Sequence, residues 1–418
     1  MTHRPRVLVV SSGYPDDRHP ASGGFVRDQA ELAARTFDVA VLVPQVAGWR
    51  ECLSGTRRPG VRITREAALT VCRTTVWHPP LRPAVVARLL LRAPSDARSD
   101  PGQANAVLDL LLGRFCASAE RGARELTRRW GDPDLVHAHF VLPAGWAGLE
   151  LARRHGVPMV LTEHSGPFEA QVETPLRRRV VRETLLASDL VLAVSPFQAE
   201  RIRRFEPATR LEVLGNAIRD DLFTPADPGA VAAPGIPFRF LAAAHLGPLK
   251  GVDTLVRAGA RLAERHRTRF VIEIVGDGPE RSKLEGLASE LDLGSTVRFL
   301  GAKSPESMPA TLRGCDALVV PSRHETFGMV VGEAMACGKP VVATRCGGPE
   351  FLVEPDTGLL VEVDDPESLA DAMQTLLTGE RSFEPGTIRS SVVGRFGREV
   401  VAERLTAVYQ SLLTADRD

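Results

Sequence analysis

The sequence predicts an α/β protein of two Rossmann-like, doubly wound domains in series, and three observations carry that expectation. Short runs rich in Val, Leu and Ile alternate with longer amphipathic segments, as buried parallel strands alternate with helices. The alternation restarts in the second half of the chain. Between the two sets lies NAIRDDLFTPADPGAVAAPGIP (216–237), rich in Pro and Gly and without periodicity, which reads as a linker.

The first set of strands is VLVV (7–10), VAVLV (39–43), LVHAH (135–139), VPMVLT (157–162) and LVLAV (190–194). The second is RFLAAA (239–244), RFVIEIVG (269–276), TVRFLG (296–301), ALVVP (317–321), PVVAT (340–344) and GLLVEV (358–363). The expected domains are residues 1–218 and 219–395, with a closing helix in 396–418 able to pack back on the first domain. Residues 45–105 are less regular. Within them LRPAVVARLLLRAP (81–94) reads either as an ordinary helix with one packed face or as a basic amphipathic helix on an anionic membrane surface or lipid-linked substrate.

With 418 residues and 44% hydrophobic content the chain can bury a core in each domain. A formal net charge of +0 removes any bulk electrostatic case for a nucleic-acid partner. The six cysteines form no CxxC pair, which argues against a disulfide framework or zinc cluster and for a reducing cytoplasm. The apolar run near the N-terminus is too short for a signal-peptide core, and no window approaches a spanning helix, so a soluble or peripherally attached protein is expected.

Ligands of doubly wound folds gather beyond the carboxyl ends of the strands, so the turns that follow them hold the candidates. After the first strand, Gly23 and Gly24 precede a helix, where backbone amides can approach an anion, although a plain turn has the same signature. The turn HLGPLKG carries Lys250, one of only four lysines in an Arg-dominated chain. A compact ammonium there points to a phosphate partner, or to a solvated helix start. In VGDGPER the position where a dinucleotide fingerprint wants its third glycine is Arg281, so Gly276 reads as a tight turn near a mononucleotide.

SRHETFGMVVGEAM (322–335) closes a strand, turns, and enters a helix, so the amides at Phe327, Gly328 and Met329 would form an anion site. Glu325 lies at the turn. Glu333, more than one turn into the helix, suits a pair of vicinal hydroxyls, which a carboxylate accepts from readily. Two surface acids favoured by the helix dipole are the alternative. In the first half His139 and His164 close their strands, where a neutral imidazole can donate to an oxyanion or orient a hydroxyl. A zinc site needs a third or fourth ligand, no Cys lies near these histidines in sequence, and no metal is expected.

Together, Gly23-Gly24, DLVHAHFVLPAG, TEH, VLGNAIRDDLFTP, HLGPLKG, VGDGPER, VRFLG and HETFGMVVGEAMACGKPVVATRCGGPEFL resemble the retaining GT-B glycosyltransferases of family 4 (GT4, group 1) over nearly the whole chain. The resemblance implies two domains facing a cleft. It implies transfer of a sugar, with retention, from a nucleotide diphosphate sugar to a hydroxyl of a glycan, lipid-linked or small-molecule acceptor. No cofactor or metal is implied. The family's glutamate pair matches Glu325, near the sugar, and Glu333, on the ribose. Lys250 matches the lysine that clamps the diphosphate, Gly24 an amide contacting it, and His139 a histidine near the reacting centre. Lys303 and Met308 would border the base.

Two positions depart from the family: His245 stands where an arginine is common, removing a permanent charge and a bidentate fork, and Gly215-Asn216-Ala217 replaces Pro-Asn-Gly. An NAD-dependent oxidoreductase and a noncatalytic nucleotide-sugar-binding protein are the competing readings. A cytoplasmic location, with peripheral contact at the inner face of the membrane as an option, completes the expectation.

Overall fold

The computed structural model describes residues 4–17, 19–20, 22–48, 58–77, 101–226, 237–266 and 269–415, and the basic segment 81–94 lies outside them. The chain divides into two compact units. Unit 1 is Met1–Val194, Gln198–Leu214 and Ala402–Asp418; unit 2 is Ser195–Phe197 and Gly215–Val401. The main division therefore falls a few residues before the 218/219 boundary read from the sequence.

Unit 1 is organised by an eight-stranded sheet of β1 (Arg6–Ser11), β2 (Asp38–Ala47), β3 (Gly60–Glu66), β4 (Leu69–Trp77), β5 (Leu135–His139), β6 (Met159–Glu163), β7 (Leu190–Ala193) and β8 (Leu211–Val213). The order is β3-β4-β2-β1-β5-β6-β7-β8. Every pairing is parallel except the β3–β4 hairpin. The central strands are buried along almost their whole length, which is why they read as continuous apolar runs.

The hairpin corrects the reading of 45–105 as irregular. Its turn, Ala67-Ala68, has neither Asn nor Gly to announce it, and Ala67 takes the left-handed conformation itself, at φ +49°. The long helix Pro101–Trp130 covers β2 and β4. Leu112, Phe115, Ala119, Ala123 and Leu126 recur along it every three or four residues, and all five are buried.

Unit 2 holds a six-stranded parallel sheet of β9 (Phe238–Ala243), β10 (Phe270–Val275), β11 (Val297–Gly301), β12 (Ala317–Val320), β13 (Val341–Thr344) and β14 (Gly358–Val361). The order β11-β10-β9-β12-β13-β14 reverses direction between β9 and β12. The comparable reversal in unit 1 lies between β1 and β5. These are the switch points where a doubly wound sheet opens a crevice beyond its carboxyl ends.

The helix Val252–His266 buries Val252, Leu255, Val256, Gly259 and Leu262 and packs against the helix Pro366–Leu377. Asp365 caps the latter by accepting from the amides of Glu367 and Ser368, both at 3.1 Å. The last helix, Arg398–Thr414, passes from unit 2 into unit 1 at Ala402. Within unit 1 its Tyr409 hydroxyl lies 2.6 Å from His137 Nδ1. Among the described residues no helix is long and apolar enough to cross a membrane.

Candidate active site

In unit 2 the switch point is formed by the turn after β9 (244–251) and the loop after β12 (321–328). Gly251 shows how closely they approach: at φ +58° a Cβ on it would stand 2.0 Å from Pro321 O. Any side chain would force the two loops apart. Across this contact Lys250 Nζ lies 2.7 Å from Glu325 Oε1, and Ser322 Oγ donates to the same oxygen at 2.8 Å. Lys250, expected from the sequence as the cation opposite the acids of 322–335, meets Glu325 here.

The same turn is clamped by a residue that the sequence reading did not single out. Arg323 donates from Nη1 to Pro248 O at 2.6 Å, from Nη2 to Asp253 Oδ2 at 2.8 Å, and from Nε to Asp364 Oδ1 at 2.6 Å. Its own amide donates to Leu249 O at 2.8 Å. The available signal was its place in the motif, two residues before Glu325.

His245 is exposed on the turn that carries Lys250. Phe327 is 1% exposed, its ring packed edge-on against Phe351 and Phe396, so only its backbone faces the loop. Gly328 caps the helix Met329–Ala336 at φ +90°; the Val331 amide already donates to Gly328 O at 2.9 Å, and the amides of Met329 and Val330 precede the first intrahelical acceptor. Glu333 is half-buried in that helix.

Gly276, at φ +132°, serves as a spacer. A Cβ there would fall 1.8 Å from Ala244 O, and its amide already donates to Gly301 O at 2.9 Å. Lys303 is exposed and Met308 half-buried beyond β11, at the edge of the sheet and two strands from β9.

In unit 1, Gly23 adopts φ +66° with its would-be Cβ 2.3 Å from Gly13 O, while nothing lies within 4 Å of one on Gly24. The loop thus folds on itself and leaves the helix start Gly24–Ala33 open. His139 ends β5 opposite Ser11 of β1. Phe140, immediately after it, has φ +71°, a costly conformation for an aromatic residue and one that marks the turn as constrained.

His139 Nδ1 lies 3.0 Å from His164 Nε2 with the rings stacked, and His137 bonds Thr162 Oγ1 through Nε2 at 2.7 Å. Burial holds His137 down to about 3. His164 is likewise held to about 3, by burial and then by His137. Burial, followed by His137 and His164, places His139 well below the usual range. All three are neutral at pH 7. His139 Nε2 is buried without a hydrogen-bond partner.

Residues 29–222 match the family model described as Glycosyltransferase Family 4, and residues 225–385 that described as Glycosyl transferases group 1. The D-inositol 3-phosphate glycosyltransferase of Corynebacterium efficiens is 32% identical over 334 residues, 73% of this chain and 78% of that one. The enzyme of the same name from Actinosynnema mirum is 35% identical over 326 residues, 72% of this chain and 78% of that one. Among solved structures, the sucrose-phosphate synthase of Thermosynechococcus elongatus matches with a TM-score of 0.75 at 25% identity, covering 99% of this chain and 100% of that one. Anabaena HepE in complex with UDP has the same fold, with a TM-score of 0.68 at 20% identity over 98% of this chain and 100% of that one.

Proposed function

The chain belongs to the group 1 glycosyltransferases of family 4, and we propose that it transfers a sugar, with retention, from a nucleotide diphosphate sugar to an acceptor hydroxyl. Membership displaces the oxidoreductase reading. The observation that carries the mechanism is the Lys250 ammonium held by Glu325 at the switch point of unit 2, in the loop that enters the helix Met329–Ala336.

As the bond between the anomeric carbon and the diphosphate oxygen breaks, negative charge grows on the departing diphosphate. Lys250 and the amides at Gly328 and Met329 stabilise that charge in this reading, and such preorganised groups gain most in a dry site. His245 adds a nitrogen donor on the same turn. Glu333 accepts from the ribose hydroxyls and Glu325 stands on the sugar side. The acceptor oxygen forms the new bond to the anomeric carbon, and its proton leaves with the diphosphate. Neutral His139, with its partnerless Nε2, orients the acceptor hydroxyl in unit 1. No metal enters this scheme.

The test is a thermal-shift screen of the purified chain against UDP-, GDP- and ADP-sugars, followed by NMR of the product anomer. A ligand-dependent shift and a product that keeps the donor's anomeric configuration are expected. Inversion would reject the retaining mechanism. Binding without turnover on any acceptor would favour the noncatalytic reading.

A further inference from the structure

Unit 1 contains a cavity of about 540 Å³ beyond the carboxyl ends of β1 and β2, within the size range of small-ligand sites. Its walls are largely apolar. Val43 and Val46 come from β2, Leu111, Leu112 and Phe115 from the helix Pro101–Trp130, and Leu142 from the turn after β5. Leu111 is 37% exposed, an aliphatic side chain left in solvent at the rim.

Among the described residues the charged side chains at the cavity have partners. Arg177 Nη1 donates to Ala170 O at 2.9 Å, and His19 Nδ1 lies 3.3 Å from Asp16 Oδ1. The remaining hydrogen-bonding groups, Ser12, Ser22, Gln45 and Gln171 among them, are neutral. A phosphorylated polyol entering here would surrender the water around a dianion, with Arg177 the one permanent cation among the described lining residues to replace it. An apolar body gains by leaving water, and the neutral groups suffice for a few hydroxyls.

We propose that this cavity is the acceptor subsite, and that it takes a hydroxyl carried on an apolar alkyl or aryl body. The inference rests on the transferase reading and deepens it: the leaving diphosphate belongs to unit 2, and the walls of the unit 1 cavity select what is glycosylated.

The test is calorimetric titration of the full chain with methyl, butyl, hexyl and octyl glucosides below their micellar concentrations, with phenyl glucoside, and with inositol 3-phosphate. Affinity should tighten roughly two- to fourfold per added methylene, and inositol 3-phosphate should bind more weakly than octyl glucoside. Phenyl glucoside binding more tightly than the octyl compound would assign an aryl body, and the reverse an alkyl one. Leu111→Ser, at an exposed position that should not impair folding, is expected to reduce the gain along the alkyl series. Nucleotide-sugar binding measured on the same samples serves as the control. A flat alkyl series alongside intact nucleotide-sugar binding overturns the cavity assignment and leaves the transferase reading standing. Tighter binding of inositol 3-phosphate than of any glucoside overturns it as well. Loss of nucleotide-sugar binding in the unmodified chain strikes the transferase reading, and the acceptor assignment with it.

Discussion

Lys250 and Glu325, 75 residues apart in sequence, meet at 2.7 Å across the switch point of unit 2. The ammonium is 29% exposed and the carboxylate 15%. A partly solvated pair of this kind contributes about 0–1 kcal/mol to stability, so its value lies in where it holds the ammonium. Lys250→Ala is therefore expected to lower kcat roughly 10²–10³-fold, the cost of losing one preorganised charge-stabilising group, while the thermal midpoint moves by only a few degrees. Steady-state kinetics beside a melting curve check this. An unchanged kcat would remove Lys250 from the mechanism.

Arg323 is expected to act through Lys250. Its three side-chain donors and its own amide tie Pro248, Leu249, Asp253 and Asp364 together, fixing the turn on which Lys250 stands. Misplacing a catalytic group by about 1 Å can cost about 10²-fold in rate. Arg323→Met should thus reduce kcat by roughly 10–100-fold with a smaller change in KM. Arg323→Lys should recover only part of the loss, because an ammonium cannot reproduce the planar fork. A lowered melting temperature with kcat intact would show that the clamp serves stability alone.

Glu333 lies in the helix whose start faces the diphosphate in the proposed mechanism, and the donor's ribose is its expected partner. Glu333→Gln keeps the shape but replaces a carboxylate that can accept from two hydroxyls. The donor dissociation constant should rise by an amount equivalent to roughly 1–3 kcal/mol, read by calorimetry. Unchanged affinity would reject the ribose assignment.

The parallel strands were legible because burial on both faces leaves uninterrupted apolar runs, and Leu135–His139 emerged with the bounds expected of it. The β3–β4 hairpin was not, since its strands are only partly buried and Ala67-Ala68 carries no turn signature. In the site, the glycines and acids of 322–335 stood out because a tight loop entering a helix restricts residue types. Arg323 escaped notice among many arginines, because its role depends on Asp253 and Asp364, which lie 70 and 41 positions away. Likewise nothing local to His137 announces Tyr409, 272 residues distant.

The buried histidines of unit 1 make stability pH-dependent in a direction their environment fixes. His137 and His164 are held to about 3 and His139 well below its usual value, burial being the leading cause for each. In the unfolded chain each would titrate near 6.5. Below that pH the unfolded state binds more protons at these sites than the folded one, so their contribution to stability falls as pH drops from about 6.5 toward 3 and is level above it. Glu163 opposes this, since burial raises its carboxyl and makes the folded state the better proton binder above the ordinary carboxylate range. One carboxyl against three imidazoles leaves a net loss on acidification. At pH 5 His137 and His164 each cost about 2 kcal/mol. Urea unfolding of the unmodified chain and of His164→Asn, at pH 7.5 and pH 5, isolates one of the three. The variant should lose about 2 kcal/mol less than the unmodified chain between the two pH values. Equal losses would mean that His164 takes up its proton in the folded state as readily as in the unfolded one.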